Sequence, residues 1–348
     1  MSRKLITIST IMTLMSTSVI ADVPNVAADI APIHSLVSRV MDGVGAPKLI
    51  VQSGASPHGY RLRPSEAKAL QDADHVFWMG EELTPWLDSA IGTLASKASV
   101  TTLLDQQGVI LHDFREGALF EAHDHSAHGD DDHDDHDDHD DHDDHKDHDD
   151  HDDHDDHDDH KDHDDHDDHK DHDDHDDHGS HDPHAWLSPE NAKLWLNIIA
   201  SKLSVSDPEN AATYFMNAAA GQAEIEAMIA EVKATLKPVQ GGKFVVFHDA
   251  YQYFENDFDF YASGAISLGD SSDPSPARIE KVQKRIRDEG IQCVLAEPQF
   301  KKGLVATVME GSDATASVID PLGAELETGP KLYTRLIKNM AKTLRNCL

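Results

Sequence analysis

The sequence predicts an α/β protein made of two lobes, each built on a parallel sheet and joined to the other by one long helix. Short apolar runs alternate with segments of helical periodicity over most of the chain, as is typical of strands connected by crossover helices. A tract rich in histidine and aspartate interrupts the first series. A helix rich in alanine, glutamate and lysine separates the first series from the second, so the chain divides into two lobes and a connector.

The first alternating series precedes the tract. Leu87, Ile91 and Leu94 recur at helical spacing, whereas the apolar runs on either side of them are short enough for strands. The predicted elements are strands at Val26–Ile30, Lys48–Val51 and His75–Met79, and helices at Pro64–Ala73 and Leu83–Ala95.

The connector and the second series follow the tract. A helix is predicted at Ser188–Leu203, and Asp207-Pro208-Glu209 begins a longer one that ends near Leu236. A helix of about 25 residues is about 37 Å long, which suits a rigid connector better than a crossover within one lobe. Beyond it we predict strands at Phe244–Phe247, Ala262–Ile266, Gln292–Ala296 and Ser317–Asp320, and helices near residues 275–289, 301–311 and 330–346.

The first residues predict an export signal. Arg3 and Lys4 precede a short apolar stretch, and small or aliphatic residues lead to Ala21, where cleavage is expected. The stretch is too short to span a bilayer, and no cysteine near Ala21 could take a lipid. We therefore expect a soluble, monomeric periplasmic protein without a membrane anchor. The predicted organisation is a signal peptide at residues 1–21, an N-terminal lobe at 22–207 with an insertion at 123–182, a linking helix at 208–237 and a C-terminal lobe at 238–348.

The insertion at 123–182 is nearly a strict Asp-Asp-His repeat with 32 Asp, 3 Lys and 20 His. It lacks apolar side chains and its carboxylates repel one another, so we expect it to be disordered. Imidazole suits zinc, and the aspartates raise the local concentration of cations, which predicts a bank of weak metal sites. A solvated acidic spacer is the alternative. The histidines singled out for this accessory role are His123, His125, His128, His133, His136, His139, His178 and His181.

The charge of the chain is concentrated in that insertion. The formal net charge is −37, and outside the insertion 34 acidic residues face 26 lysines and arginines. The remainder is therefore ordinary for a soluble protein, and it offers no basic surplus to neutralise phosphates. Nucleic-acid binding is excluded on that ground.

Three of the six histidines outside the insertion stand where an α/β sheet presents ligands. His58 follows a predicted strand, His248 follows the apolar Phe244–Phe247 strand, and His184 lies just before a predicted helix. In open α/β sheets, ligands sit beyond the carboxyl ends of the strands. Three imidazoles around one point suit Zn²⁺, each at about 2.0–2.1 Å, with a fourth position left for water or a carboxylate.

The other polar residues include one further candidate ligand. Asp320 ends a predicted strand and is a fourth candidate ligand of the same kind. His34 and His112 show no partner pattern, and His75 lies within a predicted strand as a core or edge residue. For any single histidine, a hydrogen-bonded loop residue is the alternative interpretation.

Four motifs stand in order along the chain: Ser56-Pro57-His58-Gly59-Tyr60 continuing through Leu62-Arg63-Pro64-Ser65, Asp182-Pro183-His184-Ala185-Trp186-Leu187-Ser188-Pro189, Phe247-His248-Asp249-Ala250-Tyr251-x-Tyr253-Phe254, and Ala296-Glu297-Pro298-Gln299-Phe300. Together they resemble the high-affinity zinc-uptake binding proteins, the ZnuA family, over essentially the whole mature chain. The resemblance implies two Rossmann-like lobes joined by a rigid helix, with Zn²⁺ between the lobes. It also implies His58, His184 and His248 as ligands, and delivery of the ion to the membrane permease of an ABC transporter.

Two departures from the family pattern bear on the site. Pro57 precedes His58 where some members carry a carboxylate that can join the metal. The fourth ligand therefore stays open between Asp320, water and a histidine of the insertion. The insertion is also longer and more regular than usual.

Two cysteines, Cys293 and Cys347, are an even count in an exported chain, which favours a disulfide. The resemblance implies the same pair. A bridge would join the last helix to a buried strand in a structural role, because the chain has no Cys-x-x-Cys motif.

Three other functions are alternatives to zinc capture. Uptake of manganese or iron is disfavoured because hard cations recruit more carboxylates than this set of imidazoles offers. A zinc hydrolase is disfavoured because the chain has no His-Glu-x-x-His motif and no glutamate with a visible role as general base. Metal buffering by the insertion alone is the remaining alternative.

Overall fold

The structure is a computed structural model that describes residues 23–115, 120, 181–267, 269, 274–300 and 302–348. The predicted signal peptide at residues 1–21 and residues 123–180 of the insertion lie outside the described residues. Within the described ranges, none of the helices combines the length and the apolar character needed to cross a membrane.

The first lobe contains a four-stranded, all-parallel sheet in the order β2-β1-β3-β4. Strands β1 and β3 are buried along their whole length, as expected for a sheet covered by helices on both faces. The strands are β1 (Val26–Ala28), β2 (Lys48–Leu49), β3 (His75–Trp78) and β4 (Ser99–Thr102), and the helices are α1 (Ala31–Val40), α2 (Pro64–Gln71), α3 (Pro85–Leu94) and α4 (Pro189–Ser206).

The second lobe repeats this arrangement. Its sheet is also parallel throughout and has the order β6-β5-β7-β8, so in each lobe the first strand lies between the second and the third. Its strands are β5 (Phe244–His248), β6 (Ala265–Ser267), β7 (Cys293–Ala296) and β8 (Thr315–Val318), and its helices are α6 (Gln252–Phe258), α7 (Pro276–Asp288), α8 (Lys302–Met309) and α9 (Leu332–Cys347).

Proline and serine mark the starts of several helices. A proline occupies the first or second position of α1, α2, α3, α4 and α7, where the missing N–H costs nothing because it would have no partner within the helix. Ser188 and Ser275 cap α4 and α7 by accepting the backbone N–H groups of Asn191 and Arg278. The start of α4 places the segment just before it, which carries His184.

Helix α5 (Ala211–Leu236) connects the lobes and has 26 residues, about 39 Å. It packs against α4 and α1 of the first lobe and against α9 of the second. Gly221 allows the close approach to α4, because a Cβ there would lie 2.9 Å from a methyl group of Leu196. Its buried residues follow one face: Tyr214, Ala218, Gly221, Ile225, Met228, Val232 and Leu236.

The predicted fold class is confirmed, with differences in individual elements. Strand β4 was not predicted because its sequence, Ser-Val-Thr-Thr, is polar and mostly exposed at an edge of the sheet. Helix α1 was not predicted, although Ile33, Leu36, Val37 and Val40 recur along it at helical spacing. Helix α6 has only seven residues. Strand β8 lies two residues before the predicted Ser317–Asp320.

The disulfide Cys293–Cys347 is present, with the two Cα atoms 5.6 Å apart. It joins β7 to the end of α9, as predicted. Helix α9 also packs through an apolar face that includes Tyr333, Ile337 and Leu344. The bridge therefore fixes the end of a helix that packing already holds on the second lobe.

Candidate metal centre

The three predicted histidines reach one place from three different elements. His248 is the last residue of β5, at its carboxyl end. His184 immediately precedes a short 3-10 helix, Ala185–Leu187, that leads into α4. His58 lies in the loop between β2 and α2, where the indole N–H of Trp86 donates to the carbonyl of Pro57 at 2.6 Å. Each side chain is therefore carried by backbone that neighbouring contacts hold in place.

The distances between the rings suit a tetrahedral ion. Nε2 of His184 and Nε2 of His248 are 3.4 Å apart. Two nitrogens bound to one tetrahedral Zn²⁺ at about 2.05 Å would be about 3.3 Å apart. The ring centroids of these two histidines are 5.2 Å apart, and those of His58 and His184 are 5.7 Å apart. His58 thus stands slightly farther out than the pair that already has the spacing of zinc ligands.

The rings surround a small cavity. Its volume is about 20 Å³, which is room for a single water-sized occupant. His184 and His248 are 5 % and 4 % exposed, so these two histidines shield one side of the cavity from solvent, whereas His58 is half-buried. The residues around the cavity are Ser56, Pro57, His58, His184, Trp186, His248, Glu297, Gln299, Phe300, Pro321 and Leu322.

Two buried carboxylates orient two of the rings. Nδ1 of His184 is 2.6 Å from Oδ1 of Asp182, and Nδ1 of His248 is 2.6 Å from Oε1 of Glu297. An ionised carboxylate can only accept, so each Nδ1 carries the proton and donates it. The lone pair of each ring is then on Nε2, the atom that faces the other histidine. This is the arrangement by which proteins orient metal-binding histidines.

Sequence reasoning did not assign a role to Asp182 or Glu297, although both belong to quoted motifs. Asp182 stands two residues before His184, a local spacing that could have suggested the hydrogen bond. Glu297 follows β7, which pairs with β5 in a register that sets Val246 opposite Leu295. His248 and Glu297 are each two residues further along the chain than this pair. They therefore lie side by side at the carboxyl ends of neighbouring strands. That pairing depends on the strand order.

Asp320 is held by backbone rather than directed at the cavity. Its Oδ1 accepts the N–H groups of Leu322 at 3.0 Å and Gly323 at 2.9 Å, and its Oδ2 accepts that of Ala324. These bonds close a turn in which Gly323 has a positive φ of 73°. Pro321 and Leu322 line the cavity, but Asp320 is not among its lining residues.

The other described histidines lie outside the cavity. His34 approaches the carbonyl of Pro47 at 3.2 Å, and burial lowers its pKa. His75, in β3, is 2.7 Å from the hydroxyl of Ser206, and burial lowers its pKa as well. Both are buried structural residues.

His112 precedes the insertion in the chain, and His181 lies at the C-terminal end of the insertion. His181 pairs with Asp113 at 2.9 Å, and Nε2 of His112 lies 3.1 Å from the side-chain amide of Asn256. The other seven histidines singled out for the accessory role lie outside the described residues.

In the part of the chain that the structure describes, no three His, Cys, Asp or Glu side chains are already arranged to hold a metal ion. The His184–His248 pair has the spacing of two zinc ligands, and the ring of His58 lies farther from His184 than the ring of His248 does. Its ring centroid would need to approach that of His184 by about half an ångström to match the 5.2 Å spacing of the pair.

Comparison with known proteins bears on both the fold and the family. The chain is 47% identical over 323 residues to the high-affinity zinc uptake system protein ZnuA of Brucella abortus, covering 93% of this chain and 91% of the relative. It is 43% identical over 329 residues to ZnuA of Paracoccus denitrificans, covering 94% and 93%.

Solved structures support the fold. A crystal structure of ZnuA superposes with a TM-score of 0.67 at 19% identity, covering 94% of this chain and 99% of that one. A zinc-bound ZnuA with residues 138–173 of its own sequence deleted gives 0.66 at 20% identity, covering 94% and 98%.

The family described as "Zinc-uptake complex component A periplasmic" matches residues 26–347, nearly the whole described chain. Its members are substrate-binding proteins of a transport system and not enzymes, so the hydrolase alternative is set aside. The chain belongs to this family, the ZnuA family of periplasmic components of zinc-uptake complexes.

Proposed function

We propose that this protein captures one Zn²⁺ ion with His58, His184 and His248 and delivers it to the permease of an ABC transporter. The observation that carries the proposal is the 3.4 Å separation of Nε2 of His184 and Nε2 of His248, close to that of two nitrogens on one tetrahedral zinc. The family, a component of zinc-uptake complexes, supports the same function.

The chemistry of the site favours zinc over harder cations. The proposed ligands are neutral imidazole nitrogens, which suit Zn²⁺, whereas manganese and magnesium prefer carboxylates and water. The two nearest carboxylates, Asp182 and Glu297, are each hydrogen-bonded to a histidine. They therefore strengthen the imidazoles as donors instead of competing with them for the ion.

Water is the proposed fourth ligand. Both oxygens of Asp320 already accept backbone N–H groups, so using this carboxylate would require breaking the turn that it closes. A weakly held fourth ligand also suits a protein that must release its ion, because exchange can begin there.

We further propose that residues 1–21 are a cleaved export signal and that the mature protein is a periplasmic monomer that does not bind nucleic acid. The domain boundaries predicted above belong to the same proposal, with one adjustment. His181 and Asp182, predicted as the end of the insertion, contact Asp113 and His184 and belong with the N-terminal lobe.

Competition titration against a zinc chelator tests the proposal. The wild-type protein should bind one equivalent of zinc tightly, and His184→Ala, His248→Ala and His58→Ala should each abolish or greatly weaken it while the fold survives. The matched control is His75→Asn, a buried histidine at the other end of its sheet, which should keep the tight site. Undiminished tight binding in all three alanine variants would contradict the assignment.

The same titration on a variant lacking residues 123–180 separates the insertion from the core site. The deletion should keep the one tight equivalent and lower the total number of bound ions, because a flexible chain must order itself around each ion and so binds weakly. Loss of the tight site would favour a pure buffering role for the insertion. An unchanged total would identify the insertion as a spacer.

A further inference from the structure

Two described segments form a compact polar unit, which we call the clasp: His112–Arg115, which precede the insertion, and His181–Asp182, which end it. Asp113 and His181 form an antiparallel bridge, and the N–H of Asp182 donates to the carbonyl of His112 at 2.8 Å. The side chains of Asp113 and His181 also pair, at 2.9 Å. The two segments of the clasp are thereby bonded to each other through both backbone and side chains.

The clasp is anchored in the first lobe just before it begins. Asn191 of α4 accepts the N–H of Ile110 at 2.8 Å and donates to its carbonyl at 2.9 Å. Only four residues separate Ile110 from Arg115. The position of the clasp therefore follows that of the first lobe.

Tyr253, in α6 of the second lobe, holds both strands of the clasp. Its hydroxyl donates to the carbonyl of Asp182 at 2.7 Å and accepts the N–H of His112 at 3.1 Å. The tyrosine ring is stacked at an angle against the ring of His112, with the centroids 4.7 Å apart. One fully buried side chain thus bonds to both segments of the clasp.

Arg115 makes the strongest contact between the clasp and the second lobe. Its guanidinium donates to both oxygens of Asp249 and to both oxygens of Glu255. Asp249 and Glu255 are 6 % and 1 % exposed, and the ring of Phe120 covers the guanidinium at 3.5 Å. Hydrogen bonds of this buried, forked kind are the strong class of polar contact in proteins.

The clasp lies beside two of the proposed zinc ligands, through Asp182 and through Asp249, the partner of Arg115. Asp249 directly follows His248 in the chain, and Asp182 is the hydrogen-bond partner of His184. We infer that the clasp is an interlobe latch for the metal site, in which Arg115 is a positioning residue that holds His184 and His248 at their ligand spacing and slows release of the ion. This inference rests on the proposed function.

Electrostatics and the latch predict opposite signs for the loss of Arg115. Removing a positive charge near a bound cation should by itself hold the cation more tightly. Losing the latch should instead let the lobes separate more readily and release the ion faster, because breaking a buried ion pair across an interface acts mainly on dissociation. The direction of the change therefore decides between the two.

The test measures zinc release from the full-length protein into excess chelator by stopped flow. Arg115→Gln should release zinc roughly tenfold faster or more. Arg115→Lys keeps the charge but cannot bond two carboxylates in a fork, so it should fall between Arg115→Gln and wild type. Labels at the exposed Lys97 and Lys281, one on each lobe, should show a broader interlobe distance in metal-free Arg115→Gln than in wild type.

Arg39→Gln is the matched control. Arg39 bonds Glu224 of α5 at 3.0 Å, and its side chain is 14 % exposed against 17 % for Arg115, but it lies away from the metal site. It should leave the release rate within twofold of wild type. Release from Arg115→Gln that is unchanged or slower than wild type would overturn the latch. A wild-type protein with no tight zinc would instead contradict the proposed function.

Discussion

The two sheets have the same strand order but use the crevice between their first and third strands differently. In the first lobe, the buried Asp29 follows β1 and its carboxylate accepts the N–H groups of Ile30 and Met79, each at 2.7 Å. In the second lobe, His248 ends β5 and Glu297 follows β7, and the carboxylate binds an imidazole instead. One crevice is closed by a carboxylate bound to backbone, and the other presents an imidazole ring held by a carboxylate.

In both lobes the sheet topology provides a crevice, and the side chains at its edge determine whether the crevice can bind a ligand. An open parallel sheet has a crevice wherever its strand order reverses, so each lobe has one. The first lobe contributes His58 and His184 from loops, away from the carboxylate that closes its own crevice. A metal centre between these lobes therefore combines the strand end of one with the loops of the other.

The largest effect we expect from testing this comparison concerns the disulfide, which only the second lobe has. Replacing Cys293 and Cys347 together by serine should lower the free energy of unfolding by about 4 kcal/mol, because the bridge closes a segment with a sequence separation of 54 residues. Zinc affinity should change little, since the bridge lies far from the histidines. Chemical denaturation and zinc titration measure the two quantities. Loss of tight zinc binding with an unchanged free energy of unfolding would contradict a purely structural role for the disulfide.

The next effect concerns Asp29. Burial raises its pKa from 3.8 to about 7, against the lowering effect of the backbone N–H groups that it accepts. A carboxyl group whose pKa is raised by folding stabilises the folded protein at a pH below its pKa in the unfolded chain. This stabilisation is lost as the pH rises through its pKa in the folded protein. Between pH 5 and 7 the free energy of unfolding of the wild-type protein should therefore fall by about 2–3 kcal/mol relative to that of Asp29→Asn. Urea unfolding of both metal-free proteins at the two pH values gives the difference.

Asp29→Asn should also keep the tight zinc site, because Asp29 bonds only backbone in its own lobe. If the stability difference between the two proteins did not change with pH, the carboxyl would not be the buried, partly protonated group described here.

The smallest effect concerns Glu297. Glu297→Ala should lower zinc affinity by about 10–100-fold, as is typical when the carboxylate behind a ligand histidine is removed. Glu297→Gln keeps an acceptor for Nδ1 of His248, so it should lower zinc affinity less than Glu297→Ala does. Competition titration measures both, and thermal unfolding checks that each variant is folded. Equal zinc affinity in wild type and Glu297→Ala would remove the functional difference between the two crevices.

The elements predicted well from the sequence are those with a strong local signal. Strand β5 was predicted to within one residue because Phe244-Val245-Val246-Phe247 is apolar throughout. Helix α5 was predicted from its composition and from Asp207-Pro208 at its start. Strand β4 was missed because an edge strand can be polar. Helix α1 was missed although Ile33, Leu36, Val37 and Val40 recur along it at helical spacing.

The fold class and the family follow from the sequence alone, because strand ends, helix starts and the four motifs are local patterns. The same motifs predict the three histidines as ligands, and that assignment stays a prediction. Which group each carboxylate binds, an imidazole ring or the backbone of a turn, follows only from the tertiary structure. Glu297 and Asp320 both follow strands of the second sheet, yet one orients His248 and the other closes a turn. Arg115 meets Asp249 and Glu255 across more than 130 residues of chain. Such pairings depend on strand order and on the docking of the lobes, and no spacing along the chain encodes them.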